Sequence, residues 1–468
     1  MTGAVSDWLD PLRHGFDRLG GGLFGNTVRL GVTGLRRSGK TVFVTSLVNN
    51  LLRAGRLPFF GPAAEGRLIA ARLEPQPDLA VPRFDYETRL AEITGSPPRW
   101  PDATRAVSRL RLAVRYRPVA TLRQWMGSEA TLVLDIVDYP GEWLMDLPML
   151  GQDYAAWSAQ TLALAERPVR RDLARDWAAH LATLDPAGPA DEAAARTAAR
   201  LYTAYLEACR DSDAPLSLLQ PGRFLEPGEM KDAPALAFAP LPVPADGARR
   251  GTLGRLMADR FDAYKRAVVG RFFREHFAHL DRQVVLVDLL GALNGGAEGV
   301  RDLRSALVAG MEGFRHGRPG WLERLFRSRI DKVLFAATKA DHVASSQHAL
   351  LRRLLGEAVD EARTSIRFEG ARVEAMAIAA VRSTTNVRAP VGGIEMDCVQ
   401  GIRPGGGRPT VLYPGTLPER LADLDDPDGP RHRFIAFDPP AGLGTDGRGL
   451  PHVRLDAALD FLIGDRLS

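Results

Sequence analysis

Thr27-Val28-Arg29-Leu30-Gly31-Val32-Thr33 runs directly into Gly34-Leu35-Arg36-Arg37-Ser38-Gly39-Lys40-Thr41, and Val42 to Leu52 follows at helical spacing. The first seven residues alternate Val28, Leu30 and Val32 as a half-buried strand does. The next eight match Gly-x4-Gly-Lys-Thr between a strand and a helix, the setting a phosphate-binding loop requires. Glycines let successive backbone N–H groups turn toward phosphate oxygens, and the helix N-terminus adds its positive dipole end. Lys40 brings a point charge for the β- and γ-phosphates, and the Thr41 hydroxyl is a Mg²⁺ ligand. Gly34, Arg36, Arg37, Ser38, Gly39, Lys40, Thr41 and Val42 are therefore the candidate phosphate contacts.

Outward from this loop the pattern alternates. Strands are expected at Arg109–Tyr116, Thr131–Val137, Val284–Asp288, Lys332–Thr338 and Val373–Ile378, with helices over 298–313 and Val343–Arg363. Strands alternating with helices predict an α/β fold with a mostly parallel sheet flanked by helices. Residues 151–280 break the alternation: they are alanine-rich and helical (Tyr154–Glu166, Arg170–Thr183, Ala190–Cys209, Thr252–Leu280), with a proline-rich loop at 221–246. The expected organisation is an N-terminal helical segment at 1–26, a discontinuous nucleotide domain at 27–150 and 281–385, a helical insertion at 151–280, and a C-terminal α+β extension at 386–468 packed on the nucleotide domain. That extension carries a β-like run at Arg433–Phe437 and a last amphipathic helix at Leu455–Leu462.

Composition narrows the class. The chain has 468 residues, 45% hydrophobic and 25% charged, enough for a large core and inconsistent with disorder. Cys209 and Cys398 are its two cysteines, so neither a disulfide framework nor a cysteine-rich metal site is expected. A net charge of +4 gives no footprint for nucleic acid. No run approaches the roughly 20 apolar residues that span a bilayer. The opening residues lack a basic patch followed by an apolar run, and a cytoplasmic protein is expected. Residues 6–19 read as an amphipathic helix of mixed charge, docked on its own domain; peripheral membrane association remains open. Of 61 cationic residues only Lys40, Lys231, Lys265, Lys332 and Lys339 are lysines. A chain that favours arginine so strongly keeps lysine where a compact ammonium is wanted.

Two further motifs follow the loop. Leu134-Asp135-Ile136-Val137-Asp138-Tyr139-Pro140-Gly141-Glu142 closes a buried strand with Asp-x-x-Gly. It resembles the third motif of Ras-like GTPases; by that likeness Asp138 holds Mg²⁺ through a water, Gly141 senses the γ-phosphate, and the next segment is a switch. Thr338-Lys339-Ala340-Asp341 follows the strand Val333–Ala337 and matches the guanine motif of the same class. A carboxylate at Asp341 accepts from both N1–H and the exocyclic amine of guanine, whereas adenine leaves it unpaired. The Lys339 stem lies along the purine. Thr338 replaces the commoner Asn and shortens one support. Ala380 and Val381 sit where a fifth motif would touch the base. Thr104 is the candidate switch threonine for Mg²⁺ and γ-phosphate, with Thr94 as the fallback.

Glu142 stands where Ras-like enzymes place a glutamine that orients the attacking water. A carboxylate accepts from that water but donates nothing to phosphate, so slow turnover is expected. Lys40, Glu142 and Thr104 are the catalytic candidates; Thr41, Thr104 and Asp138 are the metal candidates. Arg36 and Arg37 either reach phosphate as an internal arginine finger or face solvent and the insertion.

Gly-Leu-Arg-Arg-Ser-Gly-Lys-Thr, Trp100-Pro101-x-x-Thr104, Leu110-Arg-Leu-Ala-Val-Arg-Tyr-Arg-Pro118, Asp138-Tyr-Pro-Gly-Glu-Trp143 and Thr338-Lys-Ala-Asp341 together resemble the YcjX family of bacterial stress-associated P-loop proteins, across most of the chain. The resemblance implies a cytoplasmic, Mg²⁺-dependent GTP/GDP-binding protein with a link to envelope or heat stress, and an unidentified protein partner reached through the switches or the insertion. An ATPase with an incidental Thr-Lys-Ala-Asp, and a nucleotide-stabilised scaffold, are the alternatives. His276 and His279 on one helix, and the acidic run Asp423, Asp425, Asp426 and Asp428, are weak metal candidates.

Overall fold

The structure, a computed structural model, describes residues 26–35, 37–102, 106–119, 129–212, 216–230, 233–244, 247–312, 330–368, 370–426 and 432–468. The expected N-terminal helix, Arg36, Thr104, Lys231 and Asp428 lie outside them. Among the described residues, seven strands form the main sheet. In chain order they are β1 (Thr27–Gly34), β2 (Leu68–Glu74), β3 (Ser108–Tyr116), β4 (Ala130–Asp138), β5 (Arg282–Val287), β6 (Lys332–Ala337) and β7 (Arg372–Ala377). Their spatial order is β2-β3-β4-β1-β5-β6-β7. β1 pairs in parallel with β4 and β5, β5 with β6, and β6 with β7, while β2–β3 and β3–β4 are antiparallel. The expected α/β architecture, mostly parallel and flanked by helices, is the one observed. A small antiparallel sheet of β8 (Thr384–Val391), β9 (Ile394–Ile402) and β10 (Pro409–Leu412) stands beside it.

The period of two along the central strands sorts side chains onto two faces. Val28, Leu30, Val32, Leu134, Ile136, Val284, Leu286 and Leu334 join the helix Lys40–Arg53 and the C-terminal helix Leu455–Ile463 in one apolar cluster. Val285, Val287, Val333 and Phe335 face the other way and join the residues of 143–280 in a second. Residues 151–280 thus share a core with the sheet; their aromatics, among them Trp157, Trp177, Tyr202, Tyr205, Phe238 and Phe261, are fully or nearly buried there.

Polar ties fasten the chain's end to the first face. Buried Arg282 donates to Leu462 O at 3.0 Å and pairs with Asp465. Lys332 Nζ reaches Phe461 O at 2.8 Å and Asp465 at 2.7 Å. Asn49 and Asn50, on the helix after the phosphate loop, bond the backbone of Leu450.

Four expected elements differ. The helix expected over Arg170–Thr183 is split into Pro168–Arg171 and Arg175–Leu181. The helix expected over Thr252–Leu280 breaks into Leu253–Tyr264, a π turn at Lys265–Val269 and Gly270–Glu275. Two side chains at this break, Tyr264 and Lys265, are pulled to Asp146 and to Gln152 O. The helix expected over Val343–Arg363 is interrupted at Val359, between His348–Ala358 and Asp360–Phe368. Arg433–Phe437 makes no ladder and leads only to an isolated bridge between Ile402 and Asp438.

Candidate functional site

The candidate residues gather at the carboxyl ends of the parallel strands, where open α/β sheets place their ligands. Gly34, Asp138, Asp288 and Thr338 end or directly follow β1, β4, β5 and β6.

After β1 the chain turns back on itself, with Ser38 N donating to Leu35 O at 3.1 Å, and the helix Lys40–Arg53 opens with Phe43 N on Gly39 O. Gly39 has φ +78°, and no side chain caps the helix. Arg37 also holds a left-handed φ of 64°. For a residue with a Cβ this costs about 1–2 kcal/mol, strain of the kind that collects at functional loops. Buried Lys40 points into the site and bonds buried Asp138 at 2.6 Å. The Thr41 hydroxyl donates to Asp102 O at 3.3 Å, one residue before the segment that contains Thr104. Thr94 ends the helix Tyr86–Thr94 and its hydroxyl donates to Leu90 O.

Gly141 is explained by approach. A Cβ there would lie 2.4 Å from Gly34 O, so the Asp-x-x-Gly turn rests on the backbone of the phosphate loop. From Gly141 to Gly151 the chain is a 3₁₀ helix of 11 residues with Pro148 inside it. Such runs are rarely so long. The helical region grips this segment. A Cβ on Gly222 would meet Glu142 O at 2.2 Å. Gly222 N donates to Asp146 Oδ1 at 2.7 Å, the Tyr264 hydroxyl donates to Asp146 Oδ2, and the Arg223 guanidinium lies 3.3 Å from the Trp143 ring centre. Burial pushes the Asp146 carboxyl up to about 7, outweighing the Tyr264 and Gly222 hydrogen bonds that pull it down.

On the other side, Thr338 N donates to Val287 O and Ala340 N to Ile378 O, which fixes the turn after β6. Lys339 sits at φ 58°, the second strained non-glycine of the site, and its ammonium bonds Asp288 at 2.5 Å. The Asp341 carboxylate is aimed by two donors, Ser383 N at 2.7 Å and Ser383 Oγ at 2.8 Å. Val42 and Val381 turn their side chains into a small cluster with Ile93, Leu443 and Leu450, and Ala380 O accepts from Ser46 Oγ. At those two valines only the backbone is left to face a ligand.

A cleft of about 190 Å³ adjoins both halves, its walls including Leu35, Arg37, Glu142, Asp288 and Lys339. Asp288 and Ser383 were not singled out from sequence. Asp288 carries a legible signal, a carboxylate at the end of an apolar parallel strand; Ser383 carries none, because only the fold brings it to Asp341. Among the described residues no cluster of three or more His, Cys, Asp or Glu is placed to hold a metal ion. His276 Nδ1 instead lies 3.2 Å from Arg109 Nη2, and burial pushes its pKa down to about 4. Asp423 accepts from Arg420 N and Asp425 pairs with Arg301.

Residues 28–467 match the model of the YcjX-like family, DUF463. The chain is 43% identical over 450 residues to the Ras-like GTPase YcjX of Escherichia coli (strain K12), covering 94% of this chain and 96% of that one. It is 39% identical over 465 residues to the Ras-like GTPase YcjX of Shewanella oneidensis MR-1, covering 94% and 95%. With a family model matched over nearly its whole length and relatives this similar end to end, the chain belongs to the YcjX-like family.

Proposed function

We propose that this chain binds GTP and GDP with Mg²⁺, hydrolyses GTP slowly, and works as a nucleotide-dependent switch in the cytoplasm, in the stress setting that its family resemblance implies. The observation that carries the reading is the Asp341 carboxylate, held by Ser383 at the end of β6 on the same strand-end surface as the phosphate loop. The curated relatives are named as Ras-like GTPases, which supports the same substrate class.

Each candidate residue then has a role. Gly34, Arg36, Arg37, Ser38, Gly39, Lys40, Thr41 and Val42 form the phosphate cradle; Thr338, Lys339, Asp341, Ala380 and Val381 form the base side. Lys40 leaves Asp138 for the β- and γ-phosphates when nucleotide enters. Gly141 donates its N–H to the γ-phosphate, and Glu142 accepts a hydrogen bond from the attacking water. The oxygen donors near Lys40, the Thr41 hydroxyl and the Asp138 carboxylate, are of the hard type that Mg²⁺ prefers, and Thr104 would complete them. Mg²⁺ neutralises charge on the β- and γ-oxygens when bound. Residues 27–150 and 281–385 form the nucleotide domain, 151–280 the insertion and 386–468 the extension. A protein partner reads the switch segment or the insertion.

The test is a titration with fluorescent GDP and ADP in Mg²⁺. GDP is expected to bind tightly, with ADP weaker by about 100-fold or more, the size of a lost pair of base-edge contacts. Equal affinities, or a preference for ADP, would remove the guanine assignment.

A further inference from the structure

Arg210 shares the cleft with Glu142 and the phosphate loop, although it is supplied by the region between β4 and β5. It lies at the end of the helix Glu192–Asp211 with its side chain 18% exposed. The Nε is buried without a hydrogen-bond partner. The guanidinium otherwise donates to the half-exposed Asp211 at 3.1 Å and lies 3.8 Å from Glu226. A buried guanidinium nitrogen that lacks a partner is costly unless a ligand completes it.

Its position is fixed by a buried network. Arg170 Nη1 donates to Tyr205 OH at 3.2 Å and approaches the Sγ of Cys209, the residue before Arg210, at 3.9 Å. Arg170 Nη2 bonds Asp302 at 2.5 Å, both side chains being almost wholly buried. Asp302 belongs to the helix Gly296–Glu312 and also accepts from the N–H groups of Ser217 and Leu218, next to the cleft residues Leu216 and Leu219. The end of the long helix, the cleft wall and the nucleotide domain are thus tied at one point.

We propose that Arg210 is a catalytic residue, an arginine finger supplied from within the chain; this rests on the GTPase reading above. In hydrolysis the water oxygen bonds to the γ-phosphorus. The bond to the β–γ bridging oxygen breaks and its electron pair stays on GDP. The water's proton passes to a γ-oxygen, giving dihydrogen phosphate. Charge grows on the bridging and γ-oxygens, where a planar fork of N–H donors stabilises it. Glu142 has no donor to give and adds negative charge beside the phosphate. Arg210 answers both needs. The other two cations of this cleft are differently placed: Arg37 is exposed, and Lys339 is bound to Asp288 and has no planar fork of donors.

The experiment uses the full chain and three readouts: single-turnover GTP hydrolysis, fluorescent GDP affinity, and the tightening of GDP by aluminium fluoride, which mimics the transferring phosphoryl group. Arg210→Ala is expected to slow hydrolysis by about 100-fold or more and to abolish the aluminium fluoride response, with GDP affinity and melting temperature unchanged. Arg210→Lys should fail as well, because a point charge lacks the fork, and added guanidinium should partly restore Arg210→Ala. Hydrolysis within about twofold of wild type with the fluoride response intact would overturn the proposal. Parallel loss of GDP affinity and melting temperature would overturn it too, as a structural role. A wild-type chain that binds GDP but neither turns over GTP nor responds to fluoride overturns this proposal and the hydrolase reading together. Failure at Arg210 alone leaves that reading standing.

Discussion

The two faces of the main sheet are built from different materials. On one, the helix that follows the phosphate loop is held by largely aliphatic packing, Val28, Leu30 and Val32 of β1, Phe43, Leu47 and Leu51 of the helix, and Leu455, Leu459 and Leu462 from the chain's end, with Asn49, Asn50, Arg282 and Lys332 as its polar ties. On the other, the segment after Asp138 meets a core rich in aromatic rings and crossed by buried polar groups, with Asp146, Arg170 and Asp302 each at most 4% exposed. Apolar packing is insensitive to pH and has few alternative arrangements at equal density. Buried hydrogen-bonded carboxylates are sensitive to protonation and have partners to exchange. One face packs against the helix after Gly39; the other holds the segment that follows Asp138.

Three substitutions test that contrast. The largest effect is expected from Asp302→Ala, which strands the buried Arg170 guanidinium and leaves two backbone donors unpaired. Losing one member of a buried pair costs about 3–5 kcal/mol, read as a lower midpoint in urea unfolding. A shift near zero would show that the second face does not depend on its polar tie. Leu47→Ala, at a fully buried position on the aliphatic face, should cost about 3 kcal/mol. Its cost should be the same at pH 5 and pH 8; a marked change with pH would blur the distinction between the faces.

The smallest effect is the most diagnostic. The Asp146 carboxyl titrates near 7 in the folded chain against an ordinary value of 3.8. Between those values the folded state keeps a proton that the unfolded state has released. Stability contributed at this site is therefore present at acid pH and is lost as pH rises toward 7, at up to about 1.4 kcal/mol per pH unit. Asp146→Asn removes that slope. Unfolding of both proteins at pH 5, 6, 7 and 8 should show wild type falling relative to the variant by about 2 kcal/mol up to pH 7 and levelling off above it. Parallel curves throughout would mean that Asp146 is ionised in the fold.

Much of the site was legible as local pattern. Apolar alternation, then Gly-x4-Gly-Lys-Thr, then helical spacing encode a strand, loop and helix, and Asp138 and Thr338–Asp341 stand at strand ends in the expected order. What escaped depends on contacts distant in sequence. The antiparallel β2 joins the sheet through β3, the chain's last helix enters the first core, and the break after Tyr264 answers Asp146, 118 residues earlier.

By itself, then, the sequence determined the chemistry of the loop ends and which face of each strand is apolar, because both are encoded within a few residues by spacing and side-chain type. Only the tertiary structure decided that Ser383 aims Asp341, that Arg170 and Asp302 meet, and that Arg210 shares a cleft with Glu142. The physical reason is that such pairings follow strand order and the route of the 143-residue stretch between β4 and β5, and the period of a strand or helix carries no record of either.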